Sequence, residues 1–245
     1  MSKTTVGRMA VVLALVLALG AAGGCTRVRL EGAEPTVSSK QVPLGGAESL
    51  DVTVDMPAGE LTLDGGAAGA LDAEFRSGRA DWIPEVRYDV REGTGHLDVS
   101  TEGRLRNPIG INTTYAWDVR LNNDVPVDLT VTLGAGESRL DLSDLDISRL
   151  RVTLGAGESV IDLSGEITQD LTADVTSGVG EARIIVPKDV GVLVVGGQDG
   201  IGSLVAAGFS RNERGLVNDA YDSADVVVTI NVRRGIGETT IETAE

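Results

Sequence analysis

Five glutamates stand at the end of one recurring phrase. Glu60 follows Pro57-Ala-Gly59, Glu137 follows Gly134-Ala-Gly136, and Glu158 follows Gly155-Ala-Gly157. Glu181 follows Gly178-Val-Gly180, and Glu238 follows Gly235-Ile-Gly237. His96 and Ser203 hold the matching place in Gly93-Thr-Gly95 and Gly200-Ile-Gly202. If successive phrases stack, Glu137, Glu158 and Glu181 form a row of like charges. At ~4.8 Å each neighbouring pair costs about 0.9 kcal/mol in water and about 3.5 kcal/mol at an effective dielectric of 20. Such a row either splays into solvent, which is the default expectation, or collects a divalent cation. Calcium, with its six to eight oxygen ligands, is the cation to expect. A calcium site at these three residues would raise the melting temperature with added Ca²⁺, an effect lost on Glu158→Gln.

Other chemistries find less support. His96 is the single histidine, so a two-histidine zinc pair is impossible, and no Ser/His/Asp set can be built around it. Cys25 is the single cysteine, which leaves the folded part without disulfides or thiolate metal ligands. The Gly-x-Gly phrases lack the lysine and the following helix of a phosphate-binding loop. Carboxylates are numerous enough for a glycosidase-type acid/base pair. The aromatic platforms of sugar-active sites are scarce, however, with aromatics at 3% of residues. The chain is expected not to be an enzyme and to take no small-molecule substrate, with calcium the one cofactor left open.

The elements that would hold this column are strands. The first glycine of the phrase recurs at 134, 155, 178, 200 and 235, spacings of 21, 23, 22 and 35. A period of this length marks a solenoid, in which each unit buries its apolar face by stacking on its neighbours. Around each phrase apolar and polar residues alternate, as in Leu129, Val131 and Leu133 before it and Leu140 and Leu142 after it. The expected fold is therefore an all-β, single-domain β-solenoid of stacked coils of about 21–23 residues. Gly134, Gly136, Gly155, Gly157, Gly178, Gly180, Gly200, Gly202, Gly235 and Gly237 form its corners. The Pro57 and Gly93 phrases read as two earlier coils, with Trp82 and Trp117 bracing that end. The 35-residue spacing implies an insertion at about 208–223. Its Arg211, Arg214 and Tyr221 are the candidates for binding a protein partner, because loops on rigid scaffolds often carry recognition.

The first residues describe export. Lys3 and Arg8 precede an apolar run from Met9 to Leu19, and Gly20-Ala-Ala-Gly-Gly24 leads directly to Cys25. This arrangement resembles the bacterial lipoprotein box, although Ala22 stands where that box more often has Leu. The resemblance implies cleavage after Gly24 and thioether lipidation of Cys25, which would anchor an extracytoplasmic domain to a membrane of the envelope. The expected organisation is a signal peptide over 1–24 and a lipidated cysteine with a flexible tether over 25–48. Irregular coils and a cap follow over 49–126, and regular repeats over 127–245. The formal net charge is −16, with 21 basic and 37 acidic residues. Loss of Lys3 and Arg8 leaves 19 basic residues and a charge of −18. Such acidity argues against nucleic acid as a partner.

The run Val127-Asp-Leu-Thr-Val-Thr-Leu-Gly-Ala-Gly-Glu-Ser-Arg-Leu-Asp-Leu-Ser143 and its continuation from Leu150 to Gly165 resemble the toast-rack family. So does the tail from Asn218 through Gly235-Ile-Gly-Glu238. The resemblance implies an extracytoplasmic β-solenoid related to adhesin-like domains and to LiaF-type regulators, which restrain a membrane histidine kinase during envelope stress. It carries over no catalytic residue. Unlike those regulators, this chain has no cluster of transmembrane helices. The reading from sequence is a rigid, non-catalytic interaction module at the cell envelope, with an accessory role in envelope-stress signalling as its finer form. The alternative is a self-associating structural or adhesive surface protein.

Overall fold

A switch in burial phase within single strands organises the molecule. In the computed structural model, which describes residues 35–101, 114–197 and 200–244, Val127, Leu129, Val131 and Leu133 are buried at odd positions. After the Gly134–Glu137 phrase the buried residues are Ser138, Leu140 and Leu142, at even positions. A strand alternates faces with period 2, so a change of parity means that the backbone turns a corner while remaining a strand. Each long strand is thus two limbs joined at a glycine corner. The apolar sides of both limbs belong to one continuous core.

The strands run in chain order as β1 (Thr36–Val42), β2 (Ser49–Met56), β3 (Gly59–Asp64), β4 (Leu71–Ser77), β5 (Glu85–Arg91), β6 (Thr94–Ser100) and β7 (Tyr115–Leu121). The full-length coils follow as β8 (Val127–Asp141), β9 (Ile147–Asp162) and β10 (Leu171–Val186). Then come β11 (Gly191–Gly196), β12 (Ile201–Ala206), β13 (Ser210–Arg211), β14 (Leu216–Val217) and β15 (Val227–Thr243). Among the described residues all fifteen belong to one sheet. β8, β9, β10 and β15 are parallel neighbours, with Glu137 opposite Glu158, Glu158 opposite Glu181 and Glu181 opposite Glu238. The all-β solenoid expected from the repeats is the fold observed.

The ends of the stack differ from the expectation in instructive ways. Pro57 takes the first-glycine place of a corner as expected, since β2 and β3 flank it and pair with the two limbs of β8. The Gly93 phrase is not a corner. Glu92 (φ 51°) and Gly93 (φ 82°) form a tight turn that reverses the chain, so β5 and β6 make an antiparallel hairpin. His96 therefore lies opposite Asp51 on β2, its Nδ1 3.3 Å from a carboxylate oxygen, and is not part of the glutamate column. Thr36–Val42, expected as part of the tether, is β1, antiparallel to β4. On the second limb β3 is followed outward by β7, β4 and β1. The two tryptophans do brace this end, together with Phe75 and Tyr115.

The long final spacing reflects a change in stacking order. After β12 the chain builds the short β13–β14 pair, then returns to insert β15 between β10 and the β11–β12 coil. The last coil in sequence is the penultimate one in space. The 208–223 segment closes the first-limb edge, where β14 pairs antiparallel with β11. Asn218 continues that protection with a buried side chain. Its Oδ1 accepts from Val192 N at 2.9 Å, and its Nδ2 donates to Val190 O at 2.8 Å. Asn218→Ala strands these backbone groups at the edge and is expected to lower stability by about 1–3 kcal/mol in urea unfolding.

Candidate functional site

The corner column is built by backbone contact. The second glycine of each phrase has a strongly positive φ, from 128° at Gly136 to 138° at Gly237. A Cβ built on Gly157 would lie 1.8 Å from Gly136 O, so neighbouring coils touch through bare backbone. This close approach fixes the register, and the register fixes the order of the column as Glu60, Glu137, Glu158, Glu181, Glu238, Ser203. All five carboxylates are exposed.

With the residues beyond them, these carboxylates line an open groove of about 690 Å³ on the outer side of the second limb. Arg139 and Arg183 interrupt its acidity. Arg183 is paired with Glu242 through Nε at 2.9 Å, and Arg139 approaches Asp141 at 3.6 Å. Beneath the column the Ser138 and Ser159 hydroxyls share a buried 2.6 Å hydrogen bond. At its far end the Ser203 hydroxyl donates to Glu238 at 2.8 Å. Glu137, Glu158 and Glu181 are thus brought into one row. Among the described residues no group of three or more His, Cys, Asp or Glu side chains is arranged to hold a metal ion.

Asp64, at the lip of the second limb, has a different environment, for which the sequence holds no signal. Burial first, and then the charges of Asp118, Asp141 and Asp144, raise its pKa, while Arg120 opposes them. One of its oxygens, Oδ1, is buried without a hydrogen-bond partner. The folded state therefore holds this proton more tightly than the unfolded chain does. Stability falls as the pH rises through the ordinary carboxylate value toward the raised one. Asp64→Asn is expected to raise the melting temperature at pH 7, an advantage that fades as the pH falls through the ordinary carboxylate range.

The insertion brings part of its candidate set together. Arg214 Nη1 donates to the Tyr221 hydroxyl at 3.1 Å, and the Asn212 side chain accepts from the backbone N–H groups of Arg214 and Gly215. Arg211 lies on β13 opposite Leu216 and shares a shallow concavity with Arg214. Cys25 lies outside the described residues.

Residues 31–185 match the family described as the N-terminal domain of toast_rack, DUF2154. Among solved structures, one similar chain is from Clostridium sporogenes ATCC 15579 and is described as a "putative cell adhesion protein". It is 27% identical with a TM-score of 0.82, over 86% of this chain and all of that one. A "putative adhesin" from Bacteroides fragilis NCTC 9343 is 11% identical over 85% of this chain and 97% of its own, with a TM-score of 0.28. A "putative lipid binding protein" from Parabacteroides distasonis ATCC 8503 is 7% identical over 87% and 98%, with a TM-score of 0.25. At those scores the last two carry no argument. No protein of curated description matches the chain.

Proposed function

Because the chain belongs to the family of the N-terminal domain of toast_rack, we propose that it is a non-catalytic adhesive module on the outside of the cell. One observation carries this reading. β8, β9, β10 and β15 stack in parallel register through both limbs and the corner, with one β-bulge at the start of β9. Their outer side is a rigid ladder face suited to lying against another surface. The likeness, over 86% of this chain, to a chain described as a "putative cell adhesion protein" supports the same reading.

In this proposal Cys25 carries the lipid that holds the module at the envelope. Cys25→Ala is then expected to move most of the protein from the membrane pellet to the soluble fraction. Unchanged fractionation would remove the anchor from the reading. The partner contact is tested in intact cells with photo-crosslinking residues at Val160, on the ladder face, and at Arg214, on the insertion. Capture of a surface protein or wall polymer supports adhesion, and capture of a membrane kinase supports the finer role in envelope-stress signalling. Capture of nothing at either position overturns the module. A contact through the insertion requires that changing Arg211, Arg214 and Tyr221 together removes the captured species while the melting curve stays unchanged.

A further inference from the structure

The stack protects three of its four terminal edges. β5, outermost on the first limb, carries Glu85, Arg87, Asp89 and Arg91 at alternate positions, and β1, outermost on the second limb, carries Lys40. β11 is covered by β14 and by Asn218. Charge and cover are the usual ways of blunting an edge that would otherwise pair with another chain. The fourth edge, β12, has neither. Among the described residues it pairs with β15 alone, and from Gly200 to Ser210 there is no charged residue and no proline, in a chain with 24% charged residues.

We propose that β12 is the interface between two copies of this chain, joined edge to edge about a twofold axis through Ser203. An isologous contact of this kind pairs the strand antiparallel with itself. Centred on Ser203, the pairing sets Ile201 opposite Val205 of the second copy, and the reverse. Both side chains are exposed apolar groups, Ile201 by 71% and Val205 by 42%. Ile236, next to Ile201 and 53% exposed, widens the apolar contact at the corner.

Ser203 identifies the occupant. It stands at the sixth place of the column, where the five other coils carry glutamate. A basic strand from another protein would be better received by a carboxylate there. A second copy of an acidic chain would not, because residues opposite each other on antiparallel strands have Cβ atoms about 4.5–5.5 Å apart. The serine removes charge at the one place where like charges would meet across the axis, and its hydroxyl engages Glu238 at 2.8 Å.

The test is sedimentation of Glu34–Glu245, a compact unit that contains the whole described core. Five paired residues per copy make a small interface, so dimers are expected with Kd on the order of 100 µM, observed between about 1 µM and 1 mM. Ser203→Glu, which installs the residue used at the other corners, is expected to weaken association at least tenfold without lowering the melting temperature. Val205→Lys is expected to do the same, whereas Glu181→Gln, away from the edge, leaves Kd unchanged. A wild type that stays monomeric to about 1 mM overturns the proposal and leaves the edge to a foreign strand. A dimer unaffected by both edge changes also overturns it. Neither result depends on the adhesive reading, since crosslinking in cells and self-association in solution can fail separately.

Discussion

Gly157→Ala is expected to prevent folding or to destabilise the domain by more than about 4 kcal/mol, read as a collapse of the urea midpoint of Glu34–Glu245. Two costs combine at this residue. Its φ of 135° is a conformation that residues with a Cβ rarely adopt, which alone is a strain of about 1–3 kcal/mol. The added Cβ would also lie 1.8 Å from Gly136 O and 2.8 Å from Gly136 C, both backbone atoms that no rotamer change can move. Relief requires β8 and β9 to separate at the corner. That separation breaks the register on which both limbs depend, in a domain whose total stability is about 5–15 kcal/mol. Ala156→Val is the matched control, one residue away and exposed. β10 already carries Val179 at that place in the next coil. It should stay within about 0.5 kcal/mol of wild type. Equal behaviour of the two variants would show that the coils do not meet through bare backbone.

The same contact explains what could be read from the sequence. The glycines recur because neighbouring backbones touch, so the corners, the coil length and the parallel register of Glu137, Glu158 and Glu181 were all visible as a repeat. The alternation of Leu129, Val131 and Leu133 and the even positions of Leu140 and Leu142 marked the two limbs. The ends were harder, because a repeat says what stacks but not in which order. β15 pairs with β10 by the same rule that would have placed β11 and β12 there, and sequence periodicity does not distinguish the two arrangements. Gly93-Thr-Gly-His96 has the composition of a corner, yet the Glu92–Gly93 pair made it a hairpin and took His96 out of the column. Ser203 could be seen as a break in the glutamate pattern. That it marks the open edge became apparent only once β12 was found outermost. Asp64 gave no sign, since its neighbours come from β7, from the end of β8 and from the turn after it.

Trp117→Ala should destabilise the domain by about 3–5 kcal/mol and change its mode of association. The ring is 1% exposed and lies edge-to-face with Phe75 at 5.6 Å and with Tyr115 at 5.9 Å. It thereby joins β4 and β7 over the end of the core, and Tyr115 passes the contact on to Trp82 at 6.0 Å. Truncation removes a large buried surface together with two aromatic pairs of about 0.5–1.5 kcal/mol each. Trp82→Ala, with one such neighbour, should cost less, and the remaining tryptophan in each variant reports unfolding by fluorescence. The consequence for assembly follows from topology. Among the described residues wild type has one bare edge, β12, so edge pairing closes after two copies. Loosening β4 from β7 bares β7 as a second edge at the opposite end of the second limb. A molecule with bare edges at both ends adds copies without closing, which yields chains. Sedimentation of Trp117→Ala at temperatures below its melting point should therefore show species larger than dimers. Adding Ser203→Glu, which blocks only the β12 end, should return the distribution to monomers and dimers. If Trp117→Ala stays at the wild-type size, the aromatic cluster stabilises the core without guarding the edge.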